Sequence, residues 1–257
     1  MKDSDIIFIT TTLQTKWLKY QRGIIRNLFP GSEHIIIDGS RDWPYSWFYW
    51  MDEIKKIPGK WFVHIDEDCF LESRDELIKL IGKMEKDGYS VSAVSDGYHH
   101  YRGANGTAVN SFFMVGKKDD FLESGFDYKD IKFSFDGKNW RNDKNIFFRA
   151  SKHSNQPYSH QKMENDQDSS YEQEPYYALL WKLIENNKKF YYLYPNFDER
   201  FKSTNPRIDK DSEDIAIHMW YTRLWESPMD VHGMPNVDRY RKIEDYILEK
   251  YKFLNTK

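Results

Sequence analysis

Hydrophobic and polar positions alternate along this chain in blocks that read as strands and helices. Asp5-Ile6-Ile7-Phe8-Ile9-Thr10 is a short β-branched run closing on Thr10-Thr11-Thr12, which predicts a buried strand leading into a polar turn. From Lys16 to Phe29, Trp17, Leu18, Ile24, Ile25 and Leu28 recur at helical spacing before Pro30-Gly31 stops the element. His34-Ile35-Ile36-Ile37 predicts a second strand ending at Asp38-Gly39-Ser40, and Tyr45 to Ile57 a second amphipathic helix stopped by Pro58-Gly59. Trp61-Phe62-Val63-His64-Ile65 is the third strand, followed directly by Asp66-Glu67-Asp68.

Beyond it the pattern predicts a helix from Arg74 to Lys86, a strand over Tyr89–Val94 ending at Ser95-Asp96-Gly97, a turn-rich Gly103-Ala104-Asn105-Gly106 and a strand over Val109–Val115. Ser151 to Gln173 is polar without periodicity, the composition of a lid or binding loop. It ends at Glu174-Pro175, where Pro before Tyr176, Tyr177, Leu179, Leu180, Leu183 and Ile184 marks a helix start. Asp214–Trp220 reads as a late strand with Ala216, His218 and Trp220 on one face, and Arg239–Leu254 as a terminal helix. Strands alternating with helices over short connections predict a mostly parallel α/β sheet flanked by helices. Ligands of such sheets bind beyond the carboxyl ends of the strands, where Thr10–Thr12, Asp38 and Asp66/Asp68 would meet.

Asp-x-Asp occurs four times, and three copies (Asp3/Asp5, Asp166/Asp168, Asp209/Asp211) lie in polar stretches with no strand before them. These read as solvated surface carboxylates. Only Asp66/Asp68 follows a buried strand, whose two-residue period puts both carboxylates on one side and turns Glu67 to the other. Paired hard oxygen ligands there suit a Mg²⁺ or Mn²⁺ ion that also holds a diphosphate.

The 257 residues suffice for a substantial core, and the formal net charge of -3 gives no reason to expect a nucleic-acid partner. The lone Cys69 excludes an intramolecular disulfide and a Cys-based zinc cluster, and reads as a small buried residue. No apolar stretch reaches spanning length and the first residues lack a signal-peptide order, so a cytoplasmic protein is expected. Aromatics are 17% of the chain, enough both to pack a core and to face sugar rings.

The order of Thr-rich first strand end, Ile-Ile-Ile-Asp-Gly-Ser at the second, Ile-Asp-Glu-Asp at the third and a late Ile-His-Met-Trp resembles the GT-A class of nucleotide-sugar glycosyltransferases. The resemblance covers the first 120 residues in order and two later points. It implies a single GT-A-like (Rossmann-like) domain over 1–257 with a smaller acceptor-side lobe, 1–120 being the nucleotide-sugar-binding half and 121–257 the acceptor half with the polar loop 151–173 and the terminal helix. It further implies Asp68 as direct ligand of Mn²⁺ (or Mg²⁺), Asp66 as its helper, His218 as third ligand, and Asp38, Thr10 and Thr11 at the nucleotide. Arg223 or Tyr221 would reach the diphosphate, and Asn110 and Trp220, by their positions near strand ends alone, would contact the sugar.

An inverting enzyme would take its base from Glu174 or Glu172, ahead of the helix. The donor would be a nucleoside-diphosphate sugar, foremost a UDP-sugar. The acceptor would be a hydroxyl of a glycan or glycolipid, as in polysaccharide biosynthesis, met through peripheral membrane contact where it is lipid-linked. Three other readings compete: a metal-dependent phosphatase of haloacid-dehalogenase type, whose pair normally follows the first strand; a nucleotidyltransferase, which needs a Gly-rich first loop absent here; and a carbohydrate-binding protein without catalysis.

Overall fold

The structure is a computed structural model and describes residues 1–13, 15–42, 44–96, 108–130, 176–220 and 236–255. Its strands are β1 (Ile6–Thr12), β2 (Glu33–Asp38), β3 (Trp61–Ile65), β4 (Cys69–Leu71), β5 (Val91–Ser95), β6 (Val109–Lys117), β7 (Phe190–Asp198), β8 (Ser203–Arg207) and β9 (Ala216–His218). Its α-helices are α1 (Trp17–Leu28), α2 (Trp50–Ile54), α3 (Arg74–Asp87), α4 (Lys118–Leu122), α5 (Tyr177–Glu185) and α6 (Asn236–Lys250).

Seven of the described strands form one sheet in the order β2-β1-β3-β6-β5-β7-β8. β2, β1, β3, β5 and β7 point one way, while β6 and β8 run against their neighbours. The sheet is therefore mixed but mostly parallel, and it carries helices on both faces. Alternation along β1 shows why: Ile6 and Phe8 enter one core with α1, α3 and α6, whereas Ile7 and Ile9 enter a second with Trp47, Trp50 and α5. A separate antiparallel ladder pairs β4 with β9, setting Cys69 opposite His218.

The helix expected over Tyr45–Ile57 is instead a 3₁₀ turn at Tyr45–Phe48 followed by the short α2. Trp47, Phe48, Trp50 and Met51 are all buried there, at the spacing one helix face would bury, so the buried side was read correctly although the opening turn is 3₁₀. The expected strand over Asp214–Trp220 is paired only at Ala216–His218, and the chain leaves it at Trp220 with φ 56°. β7 and β8 had no counterpart in the reading of the sequence. β8 carries Pro206 and sits at the sheet edge, where a missing N–H is tolerated. Ser73 caps α3 by accepting from the Glu76 N–H at 3.2 Å, which fixes the helix that follows the β3–β4 turn.

Candidate metal centre

The centre is built on the turn between β3 and β4. The Asp66 N–H donates to the Phe112 carbonyl at 2.9 Å, which ties the end of β3 to β6, and the Cys69 N–H returns to the Asp66 carbonyl at 2.9 Å. Buried Gln21 of α1 pins the turn from behind, its amide donating to the Asp66 carbonyl and, at 3.1 Å, to that of Cys69. Gln21 is oriented by the Thr10 hydroxyl, which donates to its Oε1 at 2.8 Å. Backbone and side-chain bonds thus close the turn before any ligand arrives.

His218 reaches the same place through the β4–β9 ladder. The Met219 N–H donates to the Asp68 carbonyl at 2.9 Å, and the Ser203 hydroxyl donates to the His218 carbonyl at 2.7 Å. The imidazole lies flat on Phe112, with centroids 4.6 Å apart and planes 5° apart, and abuts Trp220. Its Nε2 is 3.0 Å from Asp68 Oδ1. One ligand atom each from Asp66, Asp68 and His218 falls within 4.8 Å of the others. Asp68 and His218 are buried and Asp66 is partly exposed, so the open side of the trio is at Asp66.

Two carboxylates and an imidazole form a donor set for a divalent first-row cation. Two ligand atoms at right angles about a cation ~2.1 Å away stand about 3 Å apart, the separation His218 and Asp68 already have. The buried Nδ1 of His218 has no hydrogen-bond partner among the described residues, so in metal-free protein the ring gains little beyond Asp68 and its stacking. The residues present fit a Mn²⁺ or Mg²⁺ ion.

Glu67 turns away from the trio, as the two-residue period requires, and is buried. Its carboxylate accepts from the Thr12 hydroxyl, from the Leu13 N–H at 3.1 Å and from the Thr15 N–H at 3.0 Å. It thereby clamps the loop after β1 to the turn that carries the aspartates. Nothing in the sequence distinguishes this role from that of an exposed glutamate, and the reading of the residues missed it, as it missed Gln21. Burial, and then the neighbouring Asp68 and Asp66 carboxylates, push the Cys69 thiol well above its ordinary value, leaving it a neutral packing residue.

Asp38 ends β2 in register with Thr12 of β1, on the same edge of the sheet. It is exposed, and hydrogen bonds from the Ser40 hydroxyl and N–H hold its carboxyl below the ordinary value. Thr11 is partly exposed, 3.5 Å from His64 Nε2. Thr10 does not line an opening: it is fully buried, between Gln21 and His34. Asn110 is likewise committed within the fold, donating to Asp96 at 2.6 Å and accepting from the Phe112 N–H. Trp220 is buried against His218, its carbonyl accepting from Arg239 and Tyr240. Glu172, Glu174, Tyr221, Arg223 and the polar stretch 151–173 lie outside the described residues. Of the other Asp-x-Asp copies, Asp209 is tied into its own turn, accepting from the Asp211 N–H and the Ser212 hydroxyl.

No protein-family model matches the chain, and no curated protein matches it. Among solved structures it is similar to a glycosyltransferase involved in the glycosylation of the major capsid of PBCV-1, at 11% identity and a TM-score of 0.35, over 44% of this chain and 60% of that one. It is also similar to the mannosyltransferase PcManGT from Pyrobaculum calidifontis, solved in complex with GDP-Man and Mn²⁺, at 12% identity and a TM-score of 0.31, over 47% of this chain and 46% of that one. Likenesses so partial carry no argument about activity, which rests on the residues of the site.

Proposed function

We propose that the protein is a metal-dependent glycosyltransferase that moves a sugar from a nucleoside-diphosphate sugar to a hydroxyl of a glycan or glycolipid. The observation that carries this reading is the meeting of Asp66, Asp68 and His218 at the carboxyl edge of a mostly parallel sheet. Asp68 and His218 would hold the cation from the buried side, with Asp66 facing the incoming diphosphate. The imidazole favours Mn²⁺ over Mg²⁺. Bound there, the cation supplies Lewis-acid neutralisation of the diphosphate leaving group.

The chain's own residues do the rest. Glu67 and Gln21 keep the turn and the loop after β1 in one arrangement, so the carboxylates need little reorganisation when the donor arrives. Asp38 and Thr11, on the same edge, would meet the nucleoside, a UDP donor foremost, and Arg223 would meet the diphosphate. Glu174, with Glu172 second, would take the proton of the acceptor hydroxyl in an inverting transfer. Residues 1–120 would serve the donor, joined by His218 and Arg223, and the rest of 121–257 the acceptor.

The test is nucleotide release from UDP-, GDP- and dTDP-sugars with and without Mn²⁺, in wild type and in Asp68→Asn. Activity should require the metal and fall at least a hundredfold in the variant, about 3 kcal/mol of transition-state stabilisation. Activity indifferent to metal and to Asp68 would defeat the reading.

A further inference from the structure

The exposed face of α1 is cationic and uncompensated. The chain has 41 acidic residues, yet none stands between Asp5 and Glu33, a segment that contains the whole of α1, the Lys16 that precedes it, and its Lys19, Arg22 and Arg26. Lys19, Arg22 and Arg26 recur at three- and four-residue intervals and form one exposed stripe, opposite the buried Trp17, Gln21, Ile24 and Ile25. Lys16 is paired with Glu244 of α6 at 3.0 Å, but Lys19, Arg22 and Arg26 make no ion pair among the described residues. Like charges at this spacing on a helix repel weakly, a repulsion that a bound anionic surface would offset.

Two apolar side chains accompany the stripe. Phe253 is 37% exposed and stands beside Gly23, where a Cβ on Gly23 would lie 3.8 Å from its ring. Leu13 is 44% exposed in the loop that feeds the helix, the same loop whose backbone Glu67 clamps to the metal-binding turn. No helix of the described residues is long and apolar enough to cross a membrane. We propose that the α1 face, with Lys19, Arg22, Arg26 and Phe253, docks on the surface of an anionic lipid bilayer.

Charge complementarity selects an anionic surface, and the exposed aromatic beside the cations selects a lipid interface over a hydrated polyanion. A net charge of -3 opposes a general affinity for polyanions, so attraction is confined to this helix. Because α1 follows β1, its first turn lies at the edge of the sheet that carries the metal trio, so the docking face begins at that edge and runs away from it. A lipid-linked acceptor would then be met at the surface. The proposal stands apart from the transferase reading, since binding is measured without any sugar.

The experiment is co-sedimentation of the full chain with phosphatidylcholine vesicles and with vesicles containing phosphatidylglycerol. Binding is expected only to the anionic vesicles, weakening as salt rises. Replacing Lys19, Arg22 and Arg26 together by Gln should lower it on the order of a hundredfold. Phe253→Ser should lower vesicle binding several-fold while leaving retention on heparin unchanged. Urea unfolding of each variant checks the fold, and should the triple variant fail to fold, Arg22→Gln alone with a salt series gives the same reading. Wild type that ignores anionic vesicles, a triple variant that binds as wild type, or equal competition by duplex DNA would overturn the proposal.

Discussion

Replacing Glu67 by Gln alters one atom at the hinge between the loop after β1 and the metal-binding turn. In the native protein Oε2 accepts from the Thr12 hydroxyl and the Thr15 N–H, while Oε1 accepts from the Leu13 N–H at 3.1 Å. A glutamine has one acceptor oxygen. Placed at the Oε2 position it keeps two donors satisfied, but its amide then faces the Leu13 N–H, donor against donor. Bonds to a charged acceptor are worth ~1.5–3 kcal/mol and neutral ones ~0.5–1.5. Losing one and weakening two, less the relief of not burying a charge, comes to about 2–3 kcal/mol.

Urea unfolding at neutral pH should show that loss with an unchanged m-value. Amide exchange should accelerate at Leu13 and Thr15 while the strands stay protected. In a functional assay KM for the donor should rise more than kcat falls, because the loop is displaced and the cation's ligands are not. If Glu67→Gln lies within about 0.5 kcal/mol of wild type and both amides stay protected, the clamp is not what holds this loop.

Two further outcomes concern the fold around the site. His34 Nε2 donates to Thr10 Oγ1 at 3.0 Å, a tautomer assigned from the Thr10 bond to Gln21, and desolvation at that nitrogen, followed by Arg22 and Arg26, lowers its pKa to about 3. Between the ordinary 6.5 and about 3 the unfolded chain takes up a proton that the folded one refuses, so His34 makes stability fall as pH falls. That is about 1.4 kcal/mol per pH unit at most, and His34→Gln, which keeps a donor for Thr10, should flatten the slope; parallel slopes in wild type and variant would contradict it. At Gly116, a Cβ would collide with the rings of Phe62 and Phe121, so Gly116→Ala should cost about 2–3 kcal/mol in thermal or urea unfolding, and a neutral effect would refute the packing described.

The site was legible where a short-range pattern carried it. Asp66 and Asp68 stood out because the run Trp61–Ile65, apolar but for His64, precedes them, and the period of a strand gave the direction of Glu67. His218 was singled out within the late run Asp214–Trp220 only by its resemblance to a C-terminal histidine ligand, and its meeting with Asp68 depends on β4, three residues long and too short to show a period. Thr10 was misplaced because strand alternation alone does not reveal that Gln21 and His34 close over it. β8 escaped because Ser203-Thr204-Asn205-Pro206-Arg207 is polar and holds a proline, so only its pairing to β7 makes it a strand. Asn110, read as a sugar contact from its place near a strand end, is spent on Asp96 and the Phe112 backbone, which no spacing announces.

The ladder that joins Cys69 to His218 also orders events in time. The aspartate pair leaves the ribosome 150 residues before the histidine that completes it. Until β9 docks on β4, a nascent chain offers two carboxylates near a short turn, a weak cation site. The three-residue donor set is therefore complete only when the late part of the chain has found its place. Under the proposed function, a chain that stalls or misdocks beyond β7 would lack the third ligand and with it the complete centre.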